Sequence, residues 1–298
     1  MPALVECVPN ISEGRRADVI AAVVSAIRAV GGVRLLDQTS DVDHNRSVFT
    51  FAGEPAAVER AAHALVEVSL REIDMRTHKG EHPRLGAVDV VPFVPISGIS
   101  MDECVALAHR FGRDVAAKHR VPVYFYANAA LRPDRVKLGD IRNKVQYEGL
   151  AEALATTHVP DAGPTSFNER SGGVVVGARP FLIAFNIELD TTDLALAKRI
   201  AKEIRESSGG LRAVQALGFA LTDPPRVQVS MNLLDFRTTS LATVWREVET
   251  RATSAGVKVL RGELIGMIPL DAALDVGADA LRLDRFDRTR VIEARFLE

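Results

Sequence analysis

The sequence predicts an α/β (α+β) protein of two subdomains, each a split βαβ, ferredoxin-like βαββαβ sheet with helices packed on one face. Three observations predict it. Strands and helices alternate from the N-terminus, the order β-α-β-β-α-β reads once in each half, and two strands of the second half alternate apolar with polar residues along their length. The change of pattern near Ala178 divides the chain into 1–178 and 179–298.

The first half opens with a short apolar run, Leu4 to Val8, that stops at Pro9-Asn10. A helical stretch from about Arg16 to Val30 ends at Gly31-Gly32, the C-terminal signal of a helix. Val33 to Leu36 reads as a strand, Asp37 to Asn45 as a polar loop, and Arg46 to Phe51 as a second strand rich in β-branched and aromatic residues. Val58, Ala62 and Leu65 then repeat at helical spacing. Ala87 to Val91 begins a nearly continuous apolar strand, Met101 to His119 is an amphipathic helix, and Val121 to Tyr126 is a further strand. Pro160 to Asn168 and Ser171-Gly172-Gly173 are turn formers with little periodicity and read as a linker or a loop crossing a cleft.

The second half reads as strand 181–189, helix 192–206, strand 212–221, strand 226–235, helix 239–255 and strand 257–261. In Arg226 to Asp235 the apolar set Val227, Val229, Met231, Leu233 faces one side, and Gln228, Ser230 and Asn232 face the other. In Phe181 to Leu189 the second face carries Ala184, Asn186 and Glu188. That face is either solvent-exposed or the floor of a groove, and its amide and hydroxyl groups suit recognition of a heterocycle. The C-terminal run 281–298, dense in alternating Arg and Asp, is left open among a tail, a helix and a subunit contact.

Composition excludes several classes. Thirty-seven basic against thirty-nine acidic residues leave a formal charge of −2, which removes the global electrostatic case for nucleic acid or an anionic membrane. Cys7 and Cys104 have no paired spacing, so they read as core residues and point to a reducing, cytoplasmic setting. The N-terminus lacks a basic and apolar leader, and no run of apolar residues is long enough for a membrane span.

Chemistry concentrates in His78-Lys79-Gly80-Glu81-His82-Pro83-Arg84, with two imidazoles, a carboxylate and two fixed cations in seven residues. Histidine is the side chain whose ordinary pKa, about 6.5, lets it exchange protons near neutrality. Lys79 and Arg84 are suited to an anionic substrate. The same letters spell H-x-x-E-H, a zinc-protease pattern that needs both imidazoles on one helical face. Gly80 and Pro83 work against that helix, so no metal is expected. His44 is a lesser candidate, and His63, His109 and His119 read as solvent-facing.

Longer motifs carry a resemblance. Leu4-Val5-Glu6-Cys7-Val8-Pro9-Asn10, Ser12-Glu13-Gly14, Gly80-Glu81-His82-Pro83-Arg84, Gly177-Ala178-Arg179 with Phe181 to Asn186, Asn232 to Phe236, and Gly266 to Leu270 resemble glutamate formimidoyltransferases. That family includes the transferase part of the bifunctional formimidoyltransferase-cyclodeaminases. The resemblance implies transfer of the formimino group of N-formimino-L-glutamate to N5 of tetrahydrofolate, with release of L-glutamate, in histidine degradation. It also implies two subdomains trapping folate between them, usually in a homodimer. Tetrahydrofolate, with its polyglutamate tail, would be a co-substrate.

The family's catalytic histidine falls on His82. Its folate-contacting loop falls on Gly163, Pro164, Thr165, Ser166, Phe167, Asn168, Glu169, Arg170, Ser171 and Gly172. Some members carry an acidic residue just after a Leu-Leu-Asp motif that orients this histidine, where the present chain has Thr39. Asp41 is the first choice for that role, with Asp37 and Asp43 as rivals. Arg46, Lys79, Arg84, Arg170 and Arg179 are the candidate carboxylate-binding cations, Arg84 and Arg46 foremost, because arginine grips carboxylates through paired hydrogen bonds. Asn10, Asn45, His78, Glu81, Asn186 and Asn232 complete the candidate contacts. Three alternatives stay open: a formyl donor or a role in handling 5-formyltetrahydrofolate, a folate-binding protein without turnover, and a zinc hydrolase built on His78, Glu81 and His82.

Overall fold

The structure, a computed structural model, describes residues 2–283 and 286–292. The chain packs as two units, Met1–Arg179 and Pro180–Glu298. Part of the run 281–298 therefore lies outside the described residues.

In the first unit, β1 (Leu4–Cys7) and the short β2 (Asn10–Ile11) precede α1 (Ala17–Arg28), the hairpin β3 (Val33–Asp41) and β4 (Arg46–Gly53), α2 (Pro55–Glu72) and β5 (Val88–Ser97). These give the antiparallel order β3-β4-β1-β5, with β2 also paired to β4 and β5. This is the ferredoxin-like βαββαβ arrangement. The sheet then continues. After α3 (Met101–His119), β6 (Val123–Ala127), α4 (Leu138–Arg142) and α5 (Gln146–Ala153), the strand β7 (Val174–Ala178) inserts between β5 and β6, parallel to both. Helices α1, α2 and α3 cover one face of the whole sheet around Val23, Phe49, Phe51, Leu65, Phe93 and Phe111. On the parallel part, Leu85, Val90, Tyr124, Val175, Ile141 and Leu150 build a second core from the opposite face, which α4 and α5 close. Burial on both faces explains why β7 is buried at all five positions and shows no alternation.

Three expectations change here. The polar segment Asp37 to Asp41 is not loop but the end of β3, paired in register from Asp37↔Thr50 to Asp41↔Arg46. The turn formers before Ala178 are not a linker between the units, because they lead into a central strand of the first. Both cysteines are buried. The helix histidines are less exposed than expected: His63 packs on Phe111 at 4.6 Å between ring centres, and the His109 ring bonds the Ala129 carbonyl at 2.7 Å.

The second unit runs β8 (Ile183–Leu189), α6 (Leu194–Ile204), β9 (Val214–Thr222), β10 (Pro225–Leu233), α7 (Leu241–Ser254), β11 (Val259–Ile265) and α8 (Leu270–Leu281). Its sheet is antiparallel in the order β11-β8-β10-β9, again ferredoxin-like. Val227, Val229, Met231 and Leu233 pack with Ile187, Leu189, Ile200 and Val244 in its core. Asn186 and Glu188 lie on the other face, opposite Ser230 and Gln228. There Asn186 donates to Glu263 at 3.0 Å and Arg261 donates to Glu188 at 2.9 Å.

Candidate active site

The stretch 78–84 is irregular backbone, as Gly80 and Pro83 require, and it lies along the turn that joins β3 to β4. Asn45 fastens the two together. Its backbone adopts φ 48°, a left-handed conformation that asparagine tolerates better than most residues. From that position its side chain accepts from the Gly14 N–H at 2.9 Å and donates to the Lys79 carbonyl at 2.9 Å, while its own carbonyl lies 3.1 Å from His78 Nε2. The Glu81 N–H reaches the Asp43 carbonyl at 3.3 Å. Gly80 is required by contact: a Cβ there would stand 2.4 Å from the His44 carbonyl oxygen.

Arg84 is buried and ties three segments. Its Nε donates to His78 Nδ1 at 3.1 Å, and its two terminal nitrogens reach Glu148 of α5 at 3.2 and 2.6 Å. Since Nδ1 of His78 accepts, Nε2 is the protonated nitrogen and donates to Asn45. Both ring nitrogens of His78 are thereby engaged, Glu81 is exposed, and the stretch is not helical, so the two imidazoles are not presented on one helical face as the H-x-x-E-H pattern requires. Among the described residues, the group of His and carboxylate ligand atoms that does converge, within 4.8 Å, is Glu59, His63 and Asp114 on α2 and α3. There Arg110 already holds Glu59 through two hydrogen bonds.

His82 projects toward the hairpin. Its Nε2 lies 2.7 Å from Arg46 Nη1. A guanidinium only donates, so this imidazole nitrogen accepts and the proton sits on Nδ1, next to the Pro83 carbonyl. Burial first, then the positive charges of Arg46 and Arg142, lower the His82 pKa to about 3. The His44 ring stands edge-on at 6.2 Å. Arg46 has no ion-pair partner among the described residues, and burial lowers its pKa as well, with Asp89 opposing.

Asp89 and Arg142 form the floor. Asp89, 1 % exposed, accepts from Arg142 at 2.7 Å and from the Leu85 N–H at 2.8 Å. Neither residue was singled out from the sequence, nor was Glu148. A signal for Asp89 was present, since a lone carboxylate inside the apolar run 87–91 must find a partner. Arg142 and Glu148 carry no comparable local signal.

Most sequence candidates meet in this region. Asn45, Arg46, His78, Arg84 and His82 touch one another, with Lys79 and Glu81 exposed on the same stretch and Asp43 at the turn. The segment 163–172 joins it through backbone pairing. Ala87 N–H donates to Ser171 at 2.8 Å, Gly173 N–H donates to Leu85 at 3.1 Å, and Gly86 bridges Gly172. A Cβ on Gly86 would stand 2.4 Å from the Ser171 and Gly173 carbonyl oxygens. Asn168 holds the turn by accepting from the Ser171 N–H at 3.0 Å, Phe167 packs on Tyr147, and the Tyr147 hydroxyl donates to the Glu169 carbonyl.

Other candidates are occupied differently. The Asp41 carboxylate bonds His44, through the backbone at 2.7 Å and the ring at 3.0 Å, and not His82; the neighbour of the catalytic candidate is a cation. Asp41 is fixed in β3, in register with Arg46. Asp37 is in mid-strand opposite Thr50, and Asp43 is exposed. Arg170 is used locally, on Asp74 and the Arg71 carbonyl. Arg179 hydrogen-bonds Tyr126 and sits by Glu6. Asn10 lies in β2 between Val48 and Val90. Asn186 and Asn232 belong to the second unit.

Two family models match the chain. The N-terminal subdomain of the formiminotransferase domain matches residues 4–179, and the formiminotransferase domain matches 184–287. The chain belongs to the formiminotransferase family. Within it, the glutamate formimidoyltransferase of Thermoplasma acidophilum is 43 % identical over 98 % of this chain and 97 % of its own length. That of Streptococcus pyogenes is 41 % identical over 96 % of each. The formimidoyltransferase-cyclodeaminase of Rattus norvegicus is 46 % identical over 93 % of this chain but only 52 % of its own length. The chain thus spans about half the length of that formimidoyltransferase-cyclodeaminase and nearly all of the two glutamate formimidoyltransferases.

Proposed function

We propose that this protein transfers the formimino group of N-formimino-L-glutamate to N5 of tetrahydrofolate, giving 5-formiminotetrahydrofolate and L-glutamate, in the degradation of histidine. The full-length likeness to glutamate formimidoyltransferases supports the reaction. The single observation that supports the assignment of chemistry is His82, a neutral imidazole with its accepting nitrogen directed into the cluster of Arg46, His44 and Arg142.

The physical problem is proton traffic. N5 bonds to the amidinium carbon, giving a tetrahedral adduct with three nitrogens on one carbon. N5 must lose its proton and the glutamate nitrogen must gain one before the carbon–nitrogen bond to glutamate breaks. The electron pair of that bond leaves with the now protonated amine. His82 Nε2 takes the first proton and returns it, general acid-base work worth about 10² to 10⁴ in rate. Tetrahydrofolate is the co-substrate, and no step needs a metal. Donor and acceptor both carry carboxylates, and Arg46, which has no ion-pair partner among the described residues, is a cation suited to them.

His82→Asn tests this. Turnover, followed as free glutamate released from N-formimino-L-glutamate and tetrahydrofolate, is expected to fall by about 10² to 10⁴, with circular dichroism and folate affinity nearly unchanged. Retained turnover removes His82 from the mechanism. The same assay with N-formyl-L-glutamate separates the formyl alternative. A cytoplasmic homodimer completes the reading, supported by the family likeness and the buried free cysteines, and sedimentation of the purified protein tests the dimer.

A further inference from the structure

The acceptor nitrogen that the proposed chemistry needs is already occupied, by Arg46 at 2.7 Å. A base so capped cannot take a proton from N5 until the guanidinium turns away. Something must draw it off.

The surrounding charges say what. Three arginines crowd this end of the sheet, and two have carboxylates of their own: Arg142 is held by Asp89 and Arg84 by Glu148. Arg46 has none among the described residues, and its one charged neighbour of opposite sign at depth, Asp89, is committed to Arg142. A half-buried guanidinium bonded to a neutral ring gains more from a carboxylate than from any other group, since charge-assisted pairs are roughly twice as strong as neutral ones. In an N-substituted amino acid the α-carboxylate is two bonds from the nitrogen. A cation touching the acid-base nitrogen is therefore placed for the α-carboxylate of the molecule whose nitrogen leaves, and not for its side-chain carboxylate several bonds further off.

We propose that Arg46 is a substrate-operated latch: it caps Nε2 of His82 in the free protein, and pairing with the α-carboxylate of the amino-acid donor withdraws it and frees that nitrogen as the base. This rests on the assignment of His82 given above. The charged and titratable groups facing His82 are Arg46 from β4, His44 from the β3–β4 turn and Arg142 from α4, with Asp89 of β5 and Asp41 of β3 acting on Arg46. All three groups that act on the ring directly are cationic or become so on protonation. Removing or neutralising Arg46 is thus the move that makes the ring a stronger base, and an incoming carboxylate does this when it is needed.

The test is the titration of the His82 ring by NMR on histidine-labelled full-length protein, its signal assigned by loss in His82→Asn. In the free protein the ring is expected to stay neutral, protonated on Nδ1, down to about pH 5. Saturation with N-acetyl-L-glutamine, which keeps the α-carboxylate, should raise its pKa by two units or more. N-acetyl-L-isoglutamine, which has an α-amide and keeps the γ-carboxylate, should not. In Arg46→Met the ring should titrate nearer the ordinary value without ligand and respond to neither compound. Turnover should show the same split, with an acidic limb in the pH profile of kcat that is absent from kcat/KM. An unmoved ring under the α-carboxylate compound and under L-glutamate, equal shifts from both acetyl compounds, or an unaltered ring in Arg46→Met overturns the latch. These outcomes are separate from the assignment of His82 as the acid-base group, which fails only if His82→Asn keeps its turnover.

Discussion

The buried pair of Asp89 and Arg142 makes a sharp demand on stability. Asp89→Asn keeps the shape and the acceptor for the Leu85 N–H, and removes the charge that compensates Arg142. Breaking a fully buried pair costs about 3–5 kcal/mol. The Arg142 side chain is 14 % exposed, which places this variant at the low end, about 3 kcal/mol. For a unit of this size each kcal/mol lowers Tm by about 2–4 °C, so the expected fall is about 6–12 °C. Arg142→Met should cost at least as much, because it strands a carboxylate that is itself only 1 % exposed. The double variant should recover much of the loss, since it strands nothing. The chromophores allow the units to be followed separately: all three tyrosines, Tyr124, Tyr126 and Tyr147, lie in the first unit, and the only tryptophan, Trp245, lies in the second. Thermal unfolding followed by tyrosine near-UV dichroism should shift while the tryptophan fluorescence transition holds. A Tm within about 2 °C of wild type for Asp89→Asn, or a double variant as unstable as the two losses summed, refutes the pairing argument.

Gly80→Ala places a methyl against the His44 carbonyl and should push His82 off the hairpin. Steady-state kinetics should show turnover lowered by about 10²-fold with the near-UV spectrum little changed; unaltered kinetics would mean the contact is not needed for the site. His82 also couples stability to pH. Its folded pKa, about 3, lies below its unfolded value of about 6.5, so the unfolded chain binds the extra proton in between and stability falls as pH drops from about 6.5 toward 3. Urea midpoints at about pH 7 and about pH 5 should therefore differ more for wild type than for His82→Asn, in which this contribution is gone while the other depressed histidines remain. Equal differences in the two proteins would deny that the ring is held neutral.

Periodicity made the second unit legible, because its sheet is covered by helices on one face and its strands alternate accordingly. The first unit departs where that condition fails. Val174 to Ala178 is a central parallel strand buried on both faces, so it offers no alternation, and two glycines just before it look like a turn. Asp37 to Asp41 is the opposite case, a strand end held by backbone pairing with β4 while its side chains stay largely polar and exposed, so composition alone describes a loop. Register, which no single segment carries, decides it.

The site divides along the same line. His82, Arg46, His78 and Arg84 stand out because residue types dense in proton and anion chemistry sit beside breakers of regular structure, and that is local information. Who pairs with whom is not local. Arg84 looked like a substrate cation until α5 brought Glu148 to it, and Asp41 looked like the partner of His82 until strand register committed it to His44. Each such commitment subtracts a candidate by charge balance: Asp89 answers Arg142, Glu148 answers Arg84, Asp41 answers His44. What is left is one buried-side cation resting on one neutral imidazole, and that remainder follows from helices α4 and α5 closing the second face of the sheet. The residue types proposed to do the chemistry are therefore written in the stretch 78–84 and its facing hairpin. The asymmetry of charge that would draw an anionic donor to them is written sixty residues downstream, in a segment with no chemistry of its own.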